Sequence, residues 1–404
     1  MKIKFSPPDI TEKEIAEVVD TLRSGWITTG PKVKRLEAKV AEYVGVNRCV
    51  CLGSQTACAE MALRVLGIES GDEVITSAYT YTATASVVAH TGATLVLVDT
   101  QKDCLEMDYD ALEAAITECT KAIIPVDLAG IPCDYERIFE IVERKKSMFK
   151  PKGKIQEALG RVAIMADTAH SFGASRNGKR TGSLADFSSF SFHAVKNLTT
   201  AEGGGLTWRT IPGIEDDEIY QQLQLFSLHG QSKSALDKSK LGCWEYDVIG
   251  PWYKCNMTDI AAAIGLAQFD RYPEMLKKRK AMIEKYDSVL NPLGVKTLKH
   301  YTEEYQSSGH LYLTRIPNIS VEQRNEIIVK MAERGVPCNV HYKPLPLLTA
   351  YRNMGFDMAD YPNAYAQFAN EITLPLHTQL TDEEIEYILA QYKDVLKEYG
   401  VVCC

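Results

Sequence analysis

The 404-residue sequence predicts an α/β fold in two units. A large domain over residues 1–270 carries a mostly parallel central sheet flanked by helices, and a smaller α+β domain follows over 271–404. Three observations lead there. The chain exceeds the roughly 250–300 residues at which a single core stops growing. Between residues 44 and 208, short apolar runs alternate with helical stretches or turns, the pattern of a sheet covered on both faces. Past residue 271 the order becomes strand, helix, strand, helix.

Thr11 and Glu14 have capping-box spacing ahead of Ile15, Val18, Val19 and Leu22, which predicts an amphipathic helix ending near Ser24–Gly25. Buried strands are expected at Arg48–Leu52, Glu73–Ile75, Thr94–Val98, Ala122–Val126, Arg161–Ala166 and Ser188–Phe192. Gly203–Gly204–Gly205 close this region, and a mostly irregular segment is expected to residue 256. A long helical pattern starts at Met257, with Thr258 or Asp259 near its start and Pro273 marking a kink or break. His310–Ile316 alternates like a strand. Ser320 and Gln323 cap a helix bearing Ile327, Ile328 and Met331 that stops at Gly335. Thr381 and Glu384 cap a final helix with Ile385, Ile388, Leu389, Tyr392, Val395 and Leu396 on one face.

Composition narrows the function classes. With 45 Lys and Arg against 53 Asp and Glu the net charge is −8, and hydrophobic residues make up 45%, which describes an ordinary globular chain. Neither a nucleic acid nor an anionic membrane is the expected partner. No apolar run reaches the roughly 18–20 residues needed to span a bilayer, and none follows Lys2 and Lys4, so a cytoplasmic location is expected. The eleven cysteines, at 49, 51, 58, 104, 119, 133, 243, 255, 338, 403 and 404, are scattered and read as reduced thiols, with no metal site expected. Cys49/Cys51 and Cys403–Cys404 could ligate a metal, but the first pair reads as apolar filler. The basic stretch Arg144–Lys154 reads as a solvated insertion and not as an anion-binding loop.

Two segments carry chemistry: RVAIMADTAHSFGA (161–174) and SSFSFHAVKNLTTAEGGG (188–205). In the first a buried strand runs into Asp167, and in the second an alternating strand delivers Ser191, His193 and Lys196 to a polar turn. Open α/β sheets bind ligands at the carboxyl ends of their strands, so this acid and this amine face one pocket. Spacing alone favours a plain salt bridge. A third segment, GSQTACAEMAL (53–63), opens a polar turn directly into a helix, whose first-turn N–H groups suit a phosphate. A fourth, TSAYTYTATA (76–85), places Tyr79 and Tyr81 after a strand, where a ring can stack on a flat cofactor or simply fill the core. Together these are the parts that pyridoxal 5'-phosphate (PLP) needs.

The sequence also resembles the sugar-nucleotide aminotransferases of the DegT group, which are fold type I PLP enzymes. The resemblance runs through GWITTGPKVKRLE (25–37), VDTQKDCLEMD (98–108), KAIIPVDLAGIPCD (121–134), the lysine motif itself, YKCNMTDIAAAIGLAQ (253–268), GVPCNVHYKPL (335–345) and TLPLHTQLTDEEI (373–385). It implies that Lys196 forms the internal aldimine and that Asp167 pairs with the pyridine nitrogen. His170 would lie beside the ring, Tyr81 would stack on it, and Gln55, Thr56 and Ser191 would meet the phosphate. Lys254 and Asn256 would reach the cofactor of a neighbouring subunit, which implies a homodimer. Thr29, His341 and Tyr342 would line the sugar-nucleotide side. Gln55 stands where the family usually has Gly or Ala, and Asp127 where His is common. A family branch that carries His in place of the lysine dehydrates its substrate, and Lys196 argues against that branch.

The implied reaction moves an amine from L-glutamate, by way of a pyridoxamine phosphate intermediate, to the C4 keto carbon of a nucleotide-linked 4-keto-6-deoxy sugar for a cell-surface glycan. The alternatives are amination at C3 or another PLP reaction on the same fold, and a non-catalytic regulator that binds a sugar nucleotide. The first strand-to-helix turn lacks G-x-G-x-x-G, which sets a nicotinamide cofactor aside.

Overall fold

A computed structural model describes residues 1–233, 238 and 244–401; Cys243, Cys403 and Cys404 lie outside the described residues. Its centre is a seven-stranded sheet. The strands that enter it are β1 (Cys49–Leu52), β2 (Glu73–Ser77), β3 (Thr94–Val98), β4 (Thr120–Ile124) and β5 (Ala163–Asp167), then, after the short hairpin β6 (Ser175–Arg176) and β7 (Lys179–Arg180), β8 (Phe187–Ser191) and β9 (Gly204–Trp208). The order is β1-β9-β8-β5-β4-β2-β3, and β9 alone runs against its neighbours. Residues of β1, β4, β5, β8 and β9 are buried throughout, because helices cover both faces; only the edge strand β3 begins exposed. The expected strands all form, with ends shifted by one or two residues.

Two expectations are corrected. A strand that was not expected, β9, follows Gly203, and the helix Asp216–Ser227 interrupts the segment beyond it, whose other described residues to 256 are mostly irregular as expected. Glycines at 204 and 205 read as a turn, yet they sit in a strand because the chain behind them leaves no room for a side chain. A Cβ at Gly204 would stand 2.5 Å from the backbone nitrogen of Gln55. The second correction concerns α1 (Glu12–Ser24). Its capping box Thr11/Glu14 forms and it ends at Gly25, but Glu14 and Thr21 are the buried residues. Glu14 is drawn inward by Arg271 and Gln268, which leaves Ile15 48% and Leu22 54% exposed. With Ile10, Ala194, Ala201 and Ile264, Ile15, Val18 and Val19 instead line an open apolar groove.

α2 (Pro31–Val44) begins with proline in its first turn, and the buried Asp259 carboxylate accepts from the N–H groups of Gly30, Lys32 and Val33. Asp259 itself opens the helix Asp259–Phe269, capped by Thr258. The long helical pattern then breaks, and Pro273 sits in the first turn of Tyr272–Leu290.

Beyond it, β10 (Lys296–Thr297), β12 (Tyr312–Arg315) and β13 (Glu371–Leu374) pair antiparallel, while β11 (Tyr305–Gln306) joins the β6–β7 hairpin. Capping boxes Ser320/Gln323 and Thr381/Glu384 start the helices Val321–Glu333 and Asp382–Lys397. The apolar face read from the final helix is buried along its length. It packs in one cluster with Ile283, Tyr286, Tyr312, Ile327 and Ile372, and Ile3 joins that cluster from the N-terminus.

Cys49 and Cys51 pack in the core as apolar filler, and the described cysteines are free thiols. In the basic stretch Arg144, Lys146, Lys150, Lys152 and Lys154 each reach a carboxylate: Glu113, Glu143, Glu118, Asp72 and Glu218. These pairs leave the stretch a solvated surface. No helix among the described residues is long and apolar enough to cross a membrane, and no cluster there could hold a metal ion.

Candidate active site

The carboxyl ends of the parallel strands form the site. β5 ends in Asp167, whose neighbour in register on β8 is Ser189, and the turn after β8 brings Lys196 alongside. Gln55, Tyr81, Asp167, His170, Lys196 and Tyr342 converge on one pocket, with Asp127 at its wall. Gln55, Tyr81, Asp167, His170 and Lys196 meet because each closely follows, or ends, a strand of the central sheet at the same edge, and Tyr342 joins them from the loop ahead of β13.

Asp167 is buried. Its carboxylate accepts the Thr84 hydroxyl at 2.7 Å and the Ala169 N–H at 3.1 Å. Burial raises its pKa, and the two hydrogen bonds and the charge of Lys196 oppose that rise. Burial lowers the Lys196 amine to about 8, with Asp167 pulling the other way. An amine so poised gives up and takes back a proton near neutral pH. His170 is held neutral, its pKa driven far down by burial, Lys196 and His341. Its Nδ1 accepts the Ala129 N–H at 3.2 Å, so its proton sits on Nε2, 3.3 Å from the Tyr342 hydroxyl.

The helix start expected to meet a phosphate belongs to α3 (Gln55–Val65). Ser54 caps it by accepting from the Ala57 N–H, which leaves the Gln55 and Thr56 N–H groups without intrahelical acceptors. The Gln55 side chain is turned to the sheet, where it donates to Ser189 at 3.0 Å. Ser191 closes β8, and its hydroxyl accepts the His193 N–H at 3.4 Å. Of the two tyrosines, Tyr81 is 57% exposed with its ring 5.6 Å from that of Tyr342, whereas Tyr79 is core, its hydroxyl bound to the His341 carbonyl.

Lys254, Asn256 and Thr29 are not in this pocket. They form their own chain of contacts, Lys254 to Asn256 and Asn256 to Thr29, whose hydroxyl donates to the Met257 carbonyl at 2.5 Å. His341 lies behind Tyr342, stacked on Phe5.

Sequence reasoning missed Thr84 and the setting of Asp127. Thr84 lies inside TSAYTYTATA (76–85), and its signal there is its place one helical turn after Thr80, whose hydroxyl it meets at 2.9 Å. Asp127 is fully buried and accepts from the Cys133 N–H, the Tyr135 hydroxyl and the Ser171 hydroxyl, with burial raising its pKa to about 6.

A buried carboxylate facing an amine of lowered pKa, beside a helix N-terminus and an aromatic face, defines an aminotransferase-type pocket on a doubly wound sheet. Residues 8–393 match the DegT/DnrJ/EryC1/StrS aminotransferase family, and the chain belongs to that family. It is 34% identical over 399 residues to the spore coat polysaccharide biosynthesis protein SpsC of Bacillus subtilis, covering 98% of this chain and 97% of SpsC. Among solved structures it is similar to Spr1654 of Streptococcus pneumoniae, assigned as a sugar aminotransferase, in its PMP form (58% identity, TM-score 0.96, 98% of this chain and 100% of that one) and its PLP form (56%, 0.95, all of both chains). It also resembles PseC of Helicobacter pylori, an aminotransferase of pseudoaminic acid biosynthesis, at 26% identity and a TM-score of 0.86 over 98% of this chain and 100% of PseC. The architecture is that of fold type I PLP enzymes. The pocket fits PLP on its own terms: Gly204 clears the space behind the α3 N-terminus, and an amine and a carboxylate stand together at the strand ends.

Proposed function

We propose that this protein is a PLP-dependent aminotransferase that moves the amino group of L-glutamate to the C4 keto carbon of a nucleotide-linked 4-keto-6-deoxy sugar. One observation carries the reading: the Lys196 amine, lowered to about 8, shares its pocket with the buried Asp167. PLP, when bound, withdraws electrons from the carbon bearing the amine and so makes its C–H bond acidic.

The chain's own residues do the rest. Lys196 takes the proton from that carbon and returns it on the other side of the transfer, which its lowered pKa allows. Asp167 holds a proton at the ring nitrogen, and the Thr84 hydroxyl keeps the carboxylate oriented for it. The first-turn N–H groups of Gln55 and Thr56, with Ser191, bind the phosphate. Tyr81 covers one face and His170 flanks the ring. Tyr342 and His341 line the sugar side, and Thr29, which stands with Asn256, lines it from the neighbouring copy.

The site is completed in a homodimer. Lys254 and Asn256 stand away from the Lys196 pocket of their own chain, where a second copy can use them. The same proposal includes a boundary near residue 270 between the two domains and a cytoplasmic place in making an amino sugar for a surface glycan.

The test is the visible spectrum of the purified protein with added PLP. A yellow band that bleaches with L-glutamate and is missing in Lys196→Ala is expected, followed by an amino sugar when a 4-keto sugar nucleotide is supplied. A protein that forms no band with PLP sinks the reading, and an amine found at C3 moves the acceptor carbon.

A further inference from the structure

Behind the pocket, a buried carboxyl group is connected to the loop that carries Tyr342. Glu371 opens β13 and is 1% exposed. One of its oxygens accepts the His341 N–H at 2.9 Å, and the other accepts the Thr373 hydroxyl at 2.6 Å. That hydroxyl lies 2.9 Å from Nδ1 of His341. The backbones of Thr373 and Asn339 exchange hydrogen bonds of 2.8 and 3.1 Å, so the approach of the loop to β13 is held independently of these side chains. His341 then meets Tyr342 edge-on at 5.0 Å, and Tyr342 meets His170 in the pocket.

A hydroxyl between a carboxyl group and an imidazole nitrogen has two orientations. With Glu371 ionised, Thr373 donates to the carboxylate and accepts from Nδ1–H, which leaves a lone pair on Nε2 of His341. With Glu371 protonated on that oxygen, the acid donates to Thr373, Thr373 donates to Nδ1, and the ring proton sits on Nε2. The two states differ by the single proton on Glu371; the imidazole is neutral in both, and its own proton changes nitrogen by exchange with solvent.

We propose that the Glu371–Thr373 pair sets the tautomer of His341, and thereby whether Nε2 of that ring offers the sugar substrate a donor or an acceptor. Glu371 is a positioning residue, acting through Thr373 and His341. The substrate half rests on the reading of His341 as a sugar-side residue; the tautomer half stands without it.

The surroundings favour the donor form at neutral pH. Burial raises the Glu371 pKa to about 8, against the opposing charges of Arg324 on the helix Val321–Glu333 and Arg315 on β12. Tyr79, Cys338, Tyr342 and Tyr392 also face it, and burial keeps each of them neutral. His341 itself is lowered to about 4 and carries no charge in this range. Nε2–H then suits an oxygen that only accepts, such as a carbonyl or a phosphate oxygen.

The first readout needs no sugar. In full-length protein labelled with 15N-histidine, the His341 signal is identified by its loss in His341→Gln, and its tautomer is read at about pH 6.5 and about pH 9.5. The proton is expected on Nε2 at the lower pH and on Nδ1 at the higher. Glu371→Gln, whose amide oxygen is taken by the His341 N–H so that its NH2 group faces and donates to Thr373, is expected to keep it on Nε2 at both. Thr373→Val is expected to abolish the switch, and Thr373→Ser to restore it. In parallel, the KM for the sugar nucleotide is expected to rise about three- to tenfold between these pH values in the parent and to stay level in Glu371→Gln. One tautomer at both pH values in the parent, or a switch that survives Thr373→Val, overturns the proposal. A switch with level KM in the parent overturns its substrate half and the sugar-side place of His341, while leaving the PLP reading untouched.

Discussion

The hydroxyl of Thr84 donates to the carboxylate of Asp167 at 2.7 Å, inside a pocket where that carboxylate is buried and faces Lys196. A hydrogen bond to the charged form favours ionisation where burial disfavours it, so Thr84 offsets part of the burial penalty on the Asp167 anion.

Removing that bond in Thr84→Val raises the Asp167 pKa further. The acid limb of the kcat/KM profile for glutamate is therefore expected to move to higher pH, with a loss of about threefold near neutrality. Asp167→Asn, which cannot supply the charge at any pH, is expected to cut turnover about a hundredfold or more, the scale of removing one charge-stabilising group. Steady-state rates across pH distinguish the two, and equal profiles for parent and Thr84→Val count against this role.

Gly204→Ala tests the close approach behind the phosphate end. The added Cβ would lie 2.5 Å from the Gln55 nitrogen and from the Ser54 carbonyl carbon, both backbone atoms that cannot swing aside. The start of α3 must shift, and PLP is expected to bind about tenfold more weakly or worse by absorbance titration. Unchanged affinity would mean that the phosphate is held elsewhere.

Asp127 predicts a pH-dependent stability difference. Its pKa is raised in the folded protein from 3.8 to about 6. The native state therefore binds the proton more tightly than the unfolded chain, and the stability this gives is complete below about pH 4 and lost as pH rises through 6. Asp127→Asn keeps an acceptor for Cys133 and Tyr135 without the charge. Relative to the parent it is expected to gain on the order of 3 kcal/mol between about pH 4 and 7 in denaturant unfolding, and a flat difference refutes the assignment.

A shared active site predicts complementation. Lys196→Ala and Lys254→Ala are each expected to be nearly inactive alone. Mixed and refolded together, they form dimers in which one site has both wild-type residues, so activity is expected to return. A mixture no more active than its components places Lys254 outside the catalytic site.

Much of this was legible along the chain because it depends on short-range patterns. Capping boxes at Thr11, Ser320 and Thr381 and the apolar face of the last helix are local signals, and each formed where its spacing placed it. Asp167 and Lys196 could be read because strands of one parallel sheet deliver their following residues to one edge. The strand β9 was hidden because its glycines answer to a neighbouring helix that no local pattern reveals. The buried face of α1 was misread for a related reason: Arg271, 257 residues from Glu14, draws that glutamate inward and leaves Ile15 at the surface.

The order of residues alone determined the kind of chemistry, since an amine, a carboxylate, a helix start and an aromatic ring are each encoded in a motif of a few residues. Only the folded chain decided how those groups are tuned. The partner of Asp167, the tautomer of His170, the burial of Asp127 and the approach of His341 to Glu371 and Thr373 depend on segments apart in sequence. Burial and hydrogen bonding act over a few ångströms, and which atoms come within that distance is settled by packing.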